Sequence, residues 1–426
     1  MFKTIFGLLL LGGLGIASAN EMELRDGSLM SQKKEEKYNL GFVCAHERKV
    51  PVSEESDKVF NYARYLEKNN ILRRDEETKN EIERLYRIAA EHEHYKALVN
   101  LQNGAMRGRF KLQSGDYYRY SKTLIDKGVA TGYLFVGIYL KNGMAGFQKD
   151  EEAALQYYRK AADEGSAEAQ YFIGGKLDPV DMAPDVAVKM YRCAAEQGHG
   201  EAALTLGIHL RGHAKLAEAV EAFQMGVRAG DSTSGFLLSE GFKGRAQDKK
   251  RFSLNLPEDA ERARRYEKIF RLLSGWSYAN PKVPDIDEIV PLPPAPLPAW
   301  DGTLKWVEER KANVSPEKPT EALIHKLANA KGLDPVTGKP MPGSPAFSNA
   351  NFPVRLCVSG QPCPEAGYWK VIWPPYEPIA RPEVIQHFNE GEPLPVKTVE
   401  RFHRRPWPLK DYWTRAEESV QWGLMG

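Results

Sequence analysis

The stretch YYRKAADEGSAEAQYFIG, residues 157–174, is answered by YRCAAEQGHGEAALTLG, residues 191–207. Superimposed, Ala161 and Ala162 fall on Ala194 and Ala195, Gly165 on Gly198, and Ala169 on Ala202. The same frame extends upstream to Ala89, Ala90 and Ala97, then to Gly128 with the apolar run Leu134–Tyr139, and downstream to Gly230 and Leu237. Five turns share one plan between Glu81 and Ser274. A period in the thirties marks stacked helix pairs, because one pair cannot bury its apolar face without a neighbour. The paired alanines let helices approach closely, and the glycines end one helix before the next begins. Tyr157, Tyr158 and Tyr191 recur at helical spacing and read as packing between helices.

The phrases AEAQYFIG, Ala167 to Gly174, and DEEAALQYYRKAADEG, Asp150 to Gly165, resemble the Sel-one-like repeat, an αα-solenoid of the tetratricopeptide type. That resemblance implies a curved superhelix whose concave surface receives a protein partner. GKLDPVDMAPD, Gly175 to Asp185, departs from the pattern with two prolines where a glycine-rich turn belongs. The expected fold class is mainly α, an αα-solenoid followed by a small β-rich C-terminal module.

The boundaries expected from composition are a signal peptide at 1–19, an N-terminal helical cap at 20–80, the repeats at 81–275, a proline-rich connection at 276–300 and an α+β module at 301–426. The first nineteen residues place Lys3 before an apolar run and end in Ala17-Ser18-Ala19, a pattern for cleavage before Asn20. The run Ile5–Ile16 is short for roughly 30 Å of hydrocarbon, so stable membrane insertion is not expected. Export to an oxidising periplasm permits disulfides. Cys357 and Cys363 flank VSGQP, a turn-forming loop, and are the expected pair. Cys44 and Cys193 either pair or remain free thiols.

NPKVPDIDEIVPLPPAPLPAW, residues 280–300, is too rich in Ile286, Ile289, Val290, Leu292 and Leu297 for an idle spacer, and is expected to lie against the helices. The stretch Pro281–Asp301 also resembles a segment of exported bacterial repeat proteins found beside antibacterial lipase effectors. In the tail, PTEALIHKLANAKGL reads as a helix, and PVRLCVSG, GYWKVIWP and EPLPVKTVERF read as strands. SGQPCPEAGYWKVI, Ser359 to Ile372, with FNEGEPLP, Phe388 to Pro395, resembles a module of bacterial immunity proteins. Trp369, Trp373, Trp407, Trp413 and Trp422 are expected mainly in the module's own core.

No nucleophile elbow, P-loop, HExxH or dinucleotide fingerprint occurs in the right context, and no cofactor or metal is expected. His92 and His94 are two apart on a helix, so they read as a solvated helix end rather than a shared metal site. A net charge of +2 without an extended basic stripe argues against nucleic acid. The expected function is a non-enzymatic periplasmic immunity protein that sterically neutralises a type VI secretion effector, a phospholipase. The alternatives are an envelope scaffold and, behind it, an exported hydrolase. The candidate partner-binding residues are Tyr139, Tyr171, His209, Arg211, Arg404 and Trp407.

Overall fold

The computed structural model describes residues 40–145, 147, 149–179, 182–244, 254–347, 355–373, 379–380, 382, 384–405 and 410–424. The leader at 1–19 and the beginning of the cap lie outside them. In chain order the helices are α1 (Glu54–Asn70), α2 (Glu76–Glu91), α3 (Tyr95–Met106), α4 (Ser114–Asp126), α5 (Thr131–Asn142), α6 (Glu151–Asp163), α7 (Ala167–Leu177) and α8 (Pro184–Glu196). They continue with α9 (Gly200–Gly212), α10 (Leu216–Arg228), α11 (Ser232–Phe242), α12 (Ala260–Gly275), the single turn α13 (Ile286–Ile289), α14 (Lys305–Ala312) and α15 (Glu321–Ala330). The strands are β1 (Arg355–Val358), β2 (Gly367–Ile372), β3 (Ile385–Phe388), β4 (Lys397–His403), β5 (Tyr412–Glu418) and β6 (Gln421–Leu424). The fold is mainly α, a helical-repeat array with small antiparallel sheets toward the C-terminus. By contacts the chain forms two compact units, one of residues up to 47 with 162–313, the other of 48–161 with 314–426.

In the first unit α7 through α12 pack each against the next. Ala162, Ala169, Ala194 and Ala202 are fully buried where the repeat frame puts them. A methyl group on Gly174 would sit 2.8 Å from the Tyr191 ring, and one on Gly207 would sit 2.4 Å from Phe223. A helix glycine therefore makes room for the aromatic ring of the following helix, which is why the two letters recur together. The helix starts are capped by a side chain at one frame position. Ser166, His199 and Asp231 accept from the amides of Ala169, Ala202 and Ser234.

Two extended segments cross this array. Residues 44–47 pass over the turn at Gly165, whose φ is 108° and where an added Cβ would lie 2.5 Å from the backbone of His46. Gln170 Nε2 donates to Ala45 O at 2.9 Å, and the Glu47 amide donates to Gln197 Oε1 at 2.9 Å. Cys44 is bonded to Cys193, 149 positions away. The proline-rich segment passes over Gly230, whose φ is 89° and where a Cβ would lie 1.9 Å from Pro281 O. Val283, Ile286, Ile289 and Val290 are buried against the helices, as their apolar character requires. The carbonyls of this segment are satisfied by side chains: Arg265 donates to Ile289 O at 2.8 Å and Pro298 O at 2.7 Å, and Gln224 Nε2 donates to Val290 O at 2.9 Å.

In the second unit α1 through α5 pack in succession, and α15 lies against α1 and α2. His94 is no solvated helix end. It is fully buried, its Nδ1 accepts from the Ala97 amide, and its ring stacks on Phe60. The sheet order is β1-β6-β2-β3, all antiparallel, with β4 and β5 as a separate hairpin. The expected strands at β1, β2 and β4 are present; β3, β5 and β6 are additions. Trp369 and Trp422 fill the module's core with Phe388, whereas Trp413 is 56% exposed. Tyr368 carries this sheet onto Tyr118, Phe147 and Tyr157 of the same unit.

The cysteine expectation is corrected. Cys357 and Cys363 are free, and the disulfide joins Cys44 to Cys193. Cys357 sits in β1 opposite Trp422, while Cys363 lies buried with Sγ 3.0 Å from the Glu365 carbonyl. Cys357 packs against the same core that buries Cys363, yet both remain thiols.

Candidate partner-binding surfaces

Three of the expected contact residues lie on α7 and α9 of the first unit. Tyr171 follows Glu168 by one helical turn, so both share a face of α7. Tyr171 packs its ring 4.8 Å from that of His199 and 6.0 Å from that of Tyr191. His199 Nδ1 accepts from the Ala202 amide at 3.1 Å, which leaves Nε2 to donate to Glu168 Oε2 at 3.0 Å. That bond holds the Glu168 carboxyl below its ordinary value. One turn from the end of α9, His209 Nδ1 stands 3.4 Å from Asp178 Oδ1 and its ring stacks 4.3 Å from His213. Burial, followed by the neighbouring His213, pushes the His209 pKa down. Arg211 is half-buried on the same helix. Tyr171 and His209 thus stand on α7 and α9, each beside an imidazole and near a carboxylate on or just after α7, while Arg211, two residues from His209, points to another side of α9.

Tyr139 does not belong to any surface. It is fully buried, its hydroxyl donates to Gln102 Oε1 at 2.7 Å, and burial drives its pKa well up. Its helix has apolar residues on nearly every side, which erased the inside–outside signal in the sequence. Arg404 is exposed beyond the end of β4. Trp407 lies outside the described residues.

A feature the sequence did not flag lies in the second unit. Two adjoining cavities, of about 950 and 470 Å³, form one trough along α1, α2 and the loop at 107–111, with α15 and residues 336–339 closing the larger one. They share Glu76, Lys79, Gly108 and Arg109 as a common wall. The floor of the smaller is Ile71, Ile82 and Phe110. Arg109 bonds Glu67 through one terminal nitrogen at 2.7 Å, while its Nε is buried without a hydrogen-bond partner. Buried Glu67 also accepts from the Tyr86 hydroxyl at 2.7 Å. The contributing basic residues are scattered across distant segments, so no run or motif announced them.

Ligand atoms of Cys44, His46 and Cys193 lie within 4.8 Å of one another. The two sulfurs are consumed by their mutual bond, so this group supplies no thiolates to a metal. Among the described residues no helix is long and apolar enough to cross a membrane.

Residues 234–341 match the model of a domain of unknown function, DUF6396. Among curated proteins, none matches the chain. Among solved structures, one immunity protein from Pseudomonas aeruginosa is similar at 23% identity and a TM-score of 0.48, over 60% of this chain and 95% of that one. A second immunity protein from the same organism is similar at 22% identity and a TM-score of 0.44, over 60% of this chain and 96% of that one. A Sel1 repeat protein from Oxalobacter formigenes is similar at 20% identity and a TM-score of 0.36, over 51% and 98%. The chain is a helical-repeat protein that carries the DUF6396 segment and is similar to Sel1 repeat proteins and to Pseudomonas immunity proteins.

Proposed function

We propose that this protein is a periplasmic immunity protein that binds a type VI secretion effector, a phospholipase, and blocks its active-site mouth without catalysing a reaction. The observation that carries the reading is the meeting of the two phrases that resemble an immunity-protein module. Cys363 N donates to Glu392 O and Gly391 N to Cys363 O, both at 2.7 Å, and Leu394 N donates to Gln361 O at 3.0 Å. The cysteine turn and the Gly-Glu turn are one hydrogen-bonded unit beside the buried Trp369 and Trp422. The Cys44–Cys193 bond supports an oxidising compartment. A helical-repeat array with a polar aromatic face supports partner binding over chemistry.

The test is survival of bacteria that express a neighbouring lipase-type toxin in the periplasm. Cells should live when this protein is co-exported and die when it is not. Equal survival in both cases, or capture only of resident envelope proteins from the periplasm, removes the immunity reading and favours a scaffold.

A further inference from the structure

We propose that the trough of the second unit binds an extended acidic segment of a protein partner, one that carries an apolar side chain between its carboxylates. Both cavities have walls lined with charged side chains. Their carboxylates are mostly spoken for: Glu76 by Lys79, Glu81 and Glu321 by Arg84, Glu83 by Arg87 and Glu67 by Arg64 and Arg109. Among the described residues Glu77 is the lining carboxylate left without an ion pair. Against it stand Arg74, Arg107, Lys111, Lys318 and Lys339, lining cations whose side chains make no ion pair within 4.0 Å among the described residues. Over the two cavities the lining carries eight basic side chains against six glutamates, so the trough is net positive.

Two further observations shape the ligand. The buried Arg109 Nε on the shared wall is a donor with no acceptor, a costly state that an incoming carboxylate or carbonyl relieves. The floor of Ile71, Ile82 and Phe110 offers nothing to a small inorganic anion but suits an aliphatic or aromatic side chain. The cations are spread along both cavities, which calls for several linked charges rather than one. An acidic peptide with a central apolar residue satisfies all three features. The assignment rests on the reading of this protein as a binder of proteins, and adds to it a place and a ligand chemistry.

The experiment is fluorescence anisotropy with purified protein and a short labelled peptide of aspartates and glutamates around one leucine. Binding should weaken with added salt, because exposed charge pairs are screened. Arg74→Glu with Arg107→Glu should weaken binding about tenfold, and Lys318→Glu with Lys339→Glu, on another wall, should do likewise. Replacing the peptide's leucine by glycine should cost about tenfold. An unchanged helical circular dichroism signal shows that the variants fold. Unchanged affinity in both variants, or equal binding of the leucine-free peptide, overturns the proposal. So does charge-sensitive binding to phosphatidylglycerol vesicles with none to the peptide. No effector enters this assay, so its failure is separable from failure of the survival experiment.

Discussion

The two extended segments of the first unit solve one problem by opposite means. Each lies across a repeat turn, against a glycine whose missing side chain is the space it occupies. The N-terminal segment buries one large apolar side chain, Phe42, leaves Val43 85% exposed, and is fastened by one covalent bond and two side-chain amides. The proline-rich segment buries four aliphatic side chains and feeds its carbonyls to Arg262, Arg265 and Gln224. A strap with a single buried apolar side chain gains from a covalent anchor; one with four needs its backbone acceptors satisfied. The turn at Gly198, between them, has the same positive φ and nothing within 4 Å of an added Cβ, which makes it an internal control.

The comparison is broken most directly by removing the covalent anchor. Cys44→Ser should cost about 4 kcal/mol of unfolding free energy, near the top of the usual range because the closed loop is long. Urea unfolding of the variant should match that of the reduced wild type, and a variant as stable as the oxidised protein would show that the bond holds nothing. Next come the glycines. Gly230→Ala should cost about 3 kcal/mol, combining left-handed strain with a clash against Pro281 O, whereas Gly198→Ala should cost only about 1 kcal/mol. Equal losses at the two positions would mean that the proline-rich segment does not press on its turn.

Arg265→Ala should cost about 2 kcal/mol by leaving the Ile289 and Pro298 carbonyls without their donor, and thermal melting would register it. Arg265→Lys should recover only part, since an ammonium cannot reproduce the fork. The smallest effect concerns pH. Arg264 and Arg265 hold the Glu261 carboxyl down at about 2. A folded value below the unfolded one means stability that is present above about pH 4.5 and lost as pH falls toward about 2. Hydrogen exchange at Val283 and Val290 should therefore quicken across that window, and Glu261→Gln should flatten the change. Exchange at residues 44–47 should follow the disulfide instead.

Much of this architecture was legible because a repeat writes its packing rules several times. The alanine pairs, the turn glycines and the tyrosines that face helix glycines all stand where the period put them. What a period cannot encode is a contact made once. The Cys44–Cys193 bond spans 149 positions, and nothing local to either cysteine distinguishes it from a free thiol, whereas the turn between Cys357 and Cys363 gave a local reason for a bond that does not form. The four-residue β6 was missed because Gly423 interrupts its pattern, although it is the strand that joins β1 to β2. Of the candidate contacts, Tyr171 and His209 were chosen as exposed aromatic and charged positions, and both are half-buried against neighbouring rings. Tyr139 was misplaced because α5 is apolar nearly all round. The trough escaped notice because Arg74, Arg107 and Lys318 come from three distant segments, and only folding makes them neighbours.

The bond between Cys44 and Cys193 makes the molecule, in covalent terms, a ring with two tails. A protease that cuts the backbone anywhere between those residues opens the ring without releasing a piece, so a nicked molecule runs as one species on a nonreducing gel and as two after reduction. A cut beyond Cys193 sheds a fragment under either condition, and the two gels together locate the wound.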